Sequence, residues 1–171
     1  MTRPGVEDLI RRLGLKPLPL EGGLYAETYR AAETVSAESL PPRYQSERSY
    51  GTAIYYLLTP ATHSRLHRLK SDEVYHFYLG DPVQMLTLRP DGSGEVVILG
   101  QDLAAGHRLQ HAVPHGVWQG SRILPGGAYA LMGATTAPGF EPADFEIGAA
   151  ADLVTAYPAF AGLVRELMRA P

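Results

Sequence analysis

The stretch EVYHFYLGDPVQMLTLRPDGSGEVVIL, residues 73–99, decides the fold. It holds three short runs, Glu73–Leu79, Val83–Arg89 and Glu95–Leu99, rich in Val, Ile, Leu, Tyr, Phe and Thr. Turn residues separate them: Gly80-Asp81-Pro82 after the first run, and Asp91-Gly92-Ser93-Gly94 after the second. Runs of this length and composition, closed by Gly, Pro and Asp, predict β-strands, and the second turn predicts a hairpin. Working outward, the same rhythm continues in Leu24–Ala31, Gly51–Leu58, Arg65–Leu69, Arg108–Val113, Val117–Ile123 and Ala128–Thr135. Gly100, Pro114–Gly116 and Pro125–Gly127 mark turns between them. The series predicts an all-β sandwich or barrel.

Both ends of the chain read differently. Val6, Leu9, Ile10 and Leu13 fall at i, i+3, i+4 and i+7, one face of a helix over residues 4–13. Thr2 can cap it, Glu7 and Asp8 suit its start, and Gly14 stops it. Near the C-terminus, Pro158 suits a first helical turn, and Phe160, Leu163, Val164 and Leu167 form a stripe that should pack on the barrel. Residues 32–49 are polar, contain Pro41-Pro42 and read as a loop. No repeat or composition shift divides the chain, so residues 1–171 read as one domain.

Composition narrows the function. The 171 residues carry 15 basic and 18 acidic side chains, a net charge of -3. There is no basic excess to neutralise phosphates, which argues against nucleic-acid binding. No cysteine is present, so disulfides, thiol nucleophiles and zinc–thiolate sites are excluded. No apolar run is long enough to span a bilayer, and the N-terminus lacks a signal-peptide core; the expectation is a cytoplasmic protein that does not engage membranes.

All six histidines lie between His63 and His115. In a strand, side chains alternate between faces, so Glu73, Tyr75 and Phe77 share one face, and Val74, His76 and Tyr78 the other. The first face reads as an interior that contains a carboxylate, and such a group needs a partner or a wet cavity. His67, on the preceding strand, is the nearest candidate. A Glu–His pair forms two sides of a metal site or serves acid/base chemistry. His76 reaches this face only if a bulge reverses the parity. Tyr25, Glu27 and Tyr29 alternate along another strand and suit pocket lining or a sheet edge.

Three stretches then carry a resemblance. They are Glu21-Gly22-Gly23 through Glu27-Thr28-Tyr29-Arg30; His67-Arg68 through Ser71-Asp72-Glu73-Val74-Tyr75-His76-Phe77-Tyr78-Leu79-Gly80-Asp81-Pro82; and Val113-Pro114-His115-Gly116-Val117-Trp118-Gln119. Together with Asp144-Phe145-Glu146 they resemble the DUF985, or Cupin_5, subfamily of the cupins. The resemblance implies a jelly-roll β-sandwich with a pocket between its sheets, assembled as a dimer. Metal-binding cupins place two histidines and a glutamate in their first motif and a third histidine in their second. Here Arg65 and Gln119 stand at two of those histidine positions. Guanidinium has no lone pair to offer at neutral pH, and an amide is a weak ligand.

The expected function is therefore a small-molecule-binding cupin, an isomerase, epimerase or lyase that needs no metal. His67 and Glu73 act as the acid/base pair. Arg65, Gln119, His76, Tyr75, Phe77, Tyr29 and Trp118 contact the substrate. The alternatives are a divalent-metal oxygenase or hydrolase, with zinc, nickel, iron or manganese on His67, Glu73 and Gln119, or a non-catalytic metabolite sensor. A symmetric homodimer is expected through the strand around Tyr25–Arg30.

Overall fold

A computed structural model describes residues 3–169. Its elements, in chain order, begin with α1 (Val6–Leu13), β1 (Lys16–Pro17), β2 (Leu24–Arg30), β3 (Thr34–Val35), β4 (Arg48–Ser49), β5 (Thr52–Leu58) and β6 (Ser64–Leu69). They continue with β7 (Asp72–Gly80), β8 (Val83–Leu88), β9 (Gly94–Leu99), β10 (Gln110–Val113), β11 (Trp118–Ile123), β12 (Ala130–Ala137) and β13 (Phe145–Ile147). Two helices close the chain, α2 (Ala150–Ala156) and α3 (Ala161–Leu167).

The strands build two antiparallel sheets, ordered β1-β2-β5-β12-β7-β10 and β13-β6-β11-β8-β9. Partners far apart in sequence, such as β5 with β12 and β6 with β11, give the jelly-roll winding expected of the sequence. Alternation along each strand divides the apolar residues into three groups. Tyr56, Leu58, Tyr75, Phe77, Val83, Met85, Val97 and Met132 meet between the sheets. Leu57 and Leu131 face outward and are covered by Leu9 of α1 and by Leu15. Leu66, Leu86 and Leu88 face outward from the second sheet, under Leu153, Tyr157, Val164 and Leu167. The C-terminal stripe thus packs on the sandwich. At roughly 1.5–3 kcal/mol for each fully buried large aliphatic side chain, the helices add materially to the stability of both sheets.

Three local expectations need correction. Residues 32–49 are not a plain loop. They contain the β3–β4 ribbon, and Arg48 is buried with its Nε and Nη2 donating to Asp144 at 2.7 and 2.6 Å. A buried ion pair of this bidentate geometry holds the segment against the chain before β13. A second helix, α2, precedes the expected C-terminal one, and Pro158 opens a short 3-10 turn leading into α3. At the N-terminus Gly5, not a polar side chain, occupies the cap of α1, and Thr2 lies outside the described residues.

Candidate active site

The site starts at β6 and its register with β11. His67 stands opposite Gln119, and both point between the sheets, while Leu66 and Trp118 point outward into the helical layer. On β7 the parity expected from sequence holds. Glu73, Tyr75 and Phe77 are buried on the inner face. His67 is 1% exposed and Glu73 8%.

His67 and Glu73 line one cavity of about 430 Å³ near one end of the sandwich. Its walls are mainly apolar, with Leu18, Tyr25, Ile54, Leu69 and Phe145 among them. The His67 ring stacks on Phe145 with centroids 5.1 Å apart. His67 Nδ1 lies 2.8 Å from the carbonyl oxygen of Arg65. A carbonyl only accepts, so Nδ1 carries the proton and donates it there. When the ring is neutral its lone pair is then on Nε2. That atom's nearest ionic neighbour is Glu21 Oε2, at 3.8 Å.

Glu73 is held by neutral donors. Gln119 Nε2 donates to its Oε2 at 2.6 Å, and Tyr75 donates to the same oxygen at 3.1 Å. Burial raises its pKa from 4.5 to about 7; His67 and the two hydrogen bonds oppose the rise, and the charge of Glu21 adds to it. Burial also holds the hydroxyls of Tyr56 and Tyr75 well above the usual tyrosine range. Gln119 Oε1 is buried without a hydrogen-bond partner.

Glu21 is the site residue that the sequence reading missed. It sits in a tight turn between β1 and β2, where Leu18 N–H bonds to the Gly23 carbonyl and Gly22 N–H to the Leu18 carbonyl. Gly22 and Gly23 take φ of 105° and 73°. A Cβ on Gly23 would enter the ring of Tyr56, whose hydroxyl donates to the Gly22 carbonyl at 3.0 Å. The glycines thus let the turn close against the sandwich and set Glu21 at the cavity wall, where its Oε1 accepts from Ser64 at 2.8 Å. The pair Gly22-Gly23 directly after a carboxylate was the available signal.

Several expected substrate contacts lie elsewhere. Arg65 does not line the cavity. Its N–H binds the Glu21 carbonyl at 2.9 Å and its Nη1 the Leu20 carbonyl at 3.3 Å, so it braces the Glu21 turn. His76 follows strict alternation to the outer face of the first sheet, where it bonds Thr135 and Gln110 and stacks near Tyr78. Trp118 is on the outer face of the second sheet, under the Arg68 guanidinium at 4.5 Å. Tyr29 is 58% exposed. A bulge at Thr28 shifts the β2 register between Glu27 and Tyr29, which turns Tyr29 out and Arg30 in. Phe77 is core beyond the cavity, and Tyr75 reaches the site only through its hydroxyl on Glu73.

The side chains present do not fit a cupin metal. Gln119 offers its NH₂, not its oxygen, toward Glu73. Among the described residues no three His, Asp or Glu side chains are grouped to hold an ion.

The family model described as cupin superfamily (DUF985), Cupin_5, matches residues 7–148. The chain belongs to the Cupin_5 family. Among solved structures, this Cupin_5 chain is similar to a hypothetical protein from Leishmania major, with 34% identity and a TM-score of 0.84 over 95% of this chain and 98% of that one. It is also similar to protein SO0799 from Shewanella oneidensis, with 31% identity and a TM-score of 0.86 over 99% and 100%. An uncharacterised Saccharomyces cerevisiae protein, YML079W, is 31% identical over 135 residues; the match covers 74% of this chain and spans 65% of the length of that curated relative. Oxalate decarboxylase from Bacillus subtilis, at 14% identity, shares the fold alone, with a TM-score of 0.52 over 90% of this chain and 37% of that one. No helix among the described residues is long and apolar enough to cross a membrane.

Proposed function

We propose that this cupin binds a small molecule in the cavity between its sheets and catalyses proton transfer next to a carbonyl, as an isomerase, epimerase or lyase. One observation carries the reading. His67, whose Nδ1 is taken by the Arg65 carbonyl, lines the same apolar cavity as Glu73, a carboxyl whose pKa is raised to about 7. A ring nitrogen placed to take a proton, and a carboxyl that still holds one near neutral pH, are what enolisation needs. His67 takes the proton from carbon; Glu73, oriented by Gln119 and Tyr75, supplies a proton to the developing enolate oxygen or to the neighbouring carbon. The apolar walls exclude water that would compete for the proton.

The test uses chelator-treated protein in D₂O with a panel of hydroxyketones and aminoketones, followed by proton NMR. Wild type should wash deuterium into the position beside the carbonyl of at least one compound. His67→Gln should slow that exchange by at least about 100-fold, the usual scale for loss of a general base. Exchange that appears only after zinc, nickel, iron or manganese is restored would overturn the metal-independent reading.

A further inference from the structure

The charges around the cavity are unequal. Its lining includes three carboxyl side chains, Glu21, Glu27 and Glu73, against one guanidinium, that of Arg30. Arg30 is fully engaged. Its Nε and Nη2 donate to the two oxygens of Glu27 at 3.1 and 2.8 Å, its Nη1 to Glu141 at 2.8 Å, and its Nη2 also to the Phe140 carbonyl at 3.1 Å. Two carboxylates already compensate this one guanidinium. It ties β2 to the segment before β13 and has no strong donor left for an anionic guest.

Glu21 and Glu73 have no such compensation. Among the described residues neither forms an ion pair with a lysine or arginine, and the partners of Glu73 are a neutral amide and a neutral hydroxyl. Beside them His67, almost wholly buried, lines the same space with its Nε2 3.8 Å from Glu21 Oε2. An anion entering this low-dielectric space would meet uncompensated negative charge. A cation would be attracted to it, and the two polar groups would gain a guest to bind.

We infer that the cavity takes a small ammonium-bearing molecule, its positive group on Glu21 and its apolar body against Ile54, Leu69 and Phe145. The inference rests on the reading of this cavity as a ligand site. Its volume, about 430 Å³, suits one compact ring or a short branched chain. In the proposed reaction the substrate is then an amine-bearing carbonyl compound, such as an aminoketone or amino sugar, rather than a carboxylic acid or a nucleotide-linked sugar.

Calorimetric titration at pH 7.5 with benzylamine, benzyl alcohol and benzoate tests the charge preference at nearly constant shape. Benzylamine should bind at least about tenfold tighter than benzyl alcohol, and benzoate should give no binding heat. Glu21→Gln, which keeps the acceptor for Ser64, should weaken benzylamine about tenfold and leave benzyl alcohol unchanged. Equal binding of amine and alcohol, or preferred binding of benzoate, would overturn the charge preference and leave the cavity as a ligand site. No heat from any of the three would overturn both. Zinc chloride titrated alone, if it bound where benzylamine did not, would assign the negative field to a metal.

Discussion

Glu73 concentrates the energetics of the site in one residue. Its folded-state pKa of about 7 lies above its ordinary 4.5. The folded protein therefore holds a proton that the unfolded chain releases. The stability associated with that proton is present below about pH 4.5 and is lost as pH rises toward 7. A shift of this size amounts to about 3 kcal/mol. Glu73→Gln removes the penalty and gives Gln119 Oε1, otherwise unpartnered, an amide N–H to accept from. The variant should match wild type within about 1 kcal/mol at pH 4.5 and exceed it by up to about 3 kcal/mol at pH 8, measured by urea unfolding. An equal difference at both pH values would contradict the assignment. His67, Glu73 and Gln119 were legible in the sequence because strand parity and the two partial cupin motifs pointed to one interior. Glu21 was not, because a turn residue follows no periodicity. Trp118 was misplaced although parity with Gln119 assigns it to the outer face.

At the scale of elements, the turns decide what the strands present. The strands themselves were readable from alternating apolar residues and Gly or Pro breaks, and most of their boundaries fall within two residues of expectation. The β2 bulge at Thr28 was hidden, since a bulge adds a residue without altering composition, and it exchanges the roles of Tyr29 and Arg30. The β3–β4 ribbon was hidden for another reason: its anchor, Arg48 to Asp144, joins residues 96 apart in sequence. The turn bearing Glu21 has its own test. Gly23→Ala places a side chain at a φ of 73° and against the Tyr56 ring, with no room on either count. The change should destabilise the protein by about 1–3 kcal/mol in denaturant titration. It should also displace Glu21 and so weaken benzylamine binding. A stable variant with unaltered binding would show that the turn does not set Glu21.

Across the whole molecule, the architecture sets the environment of the cavity. Helices α1, α2 and α3 cover the outer faces of the two sheets, and the space between them is mainly apolar, with His67, Glu73, Glu21, Glu27 and Arg30 among its polar lining. The same burial that closes the sandwich raises the pKa of Glu73, and Arg30 at the cavity wall is taken up by Glu27 and Glu141 and relieves neither Glu73 nor Glu21. The fold and the electrostatics of the cavity are therefore one arrangement. Carbon-13 NMR titration of protein labelled at glutamate side-chain carboxyls, with Glu73→Gln to assign the signal, examines that arrangement directly. The account predicts a Glu73 midpoint near pH 7 that falls when Glu21→Gln removes the neighbouring charge. A midpoint near the ordinary glutamate value of about 4.3, indifferent to Glu21, would contradict it.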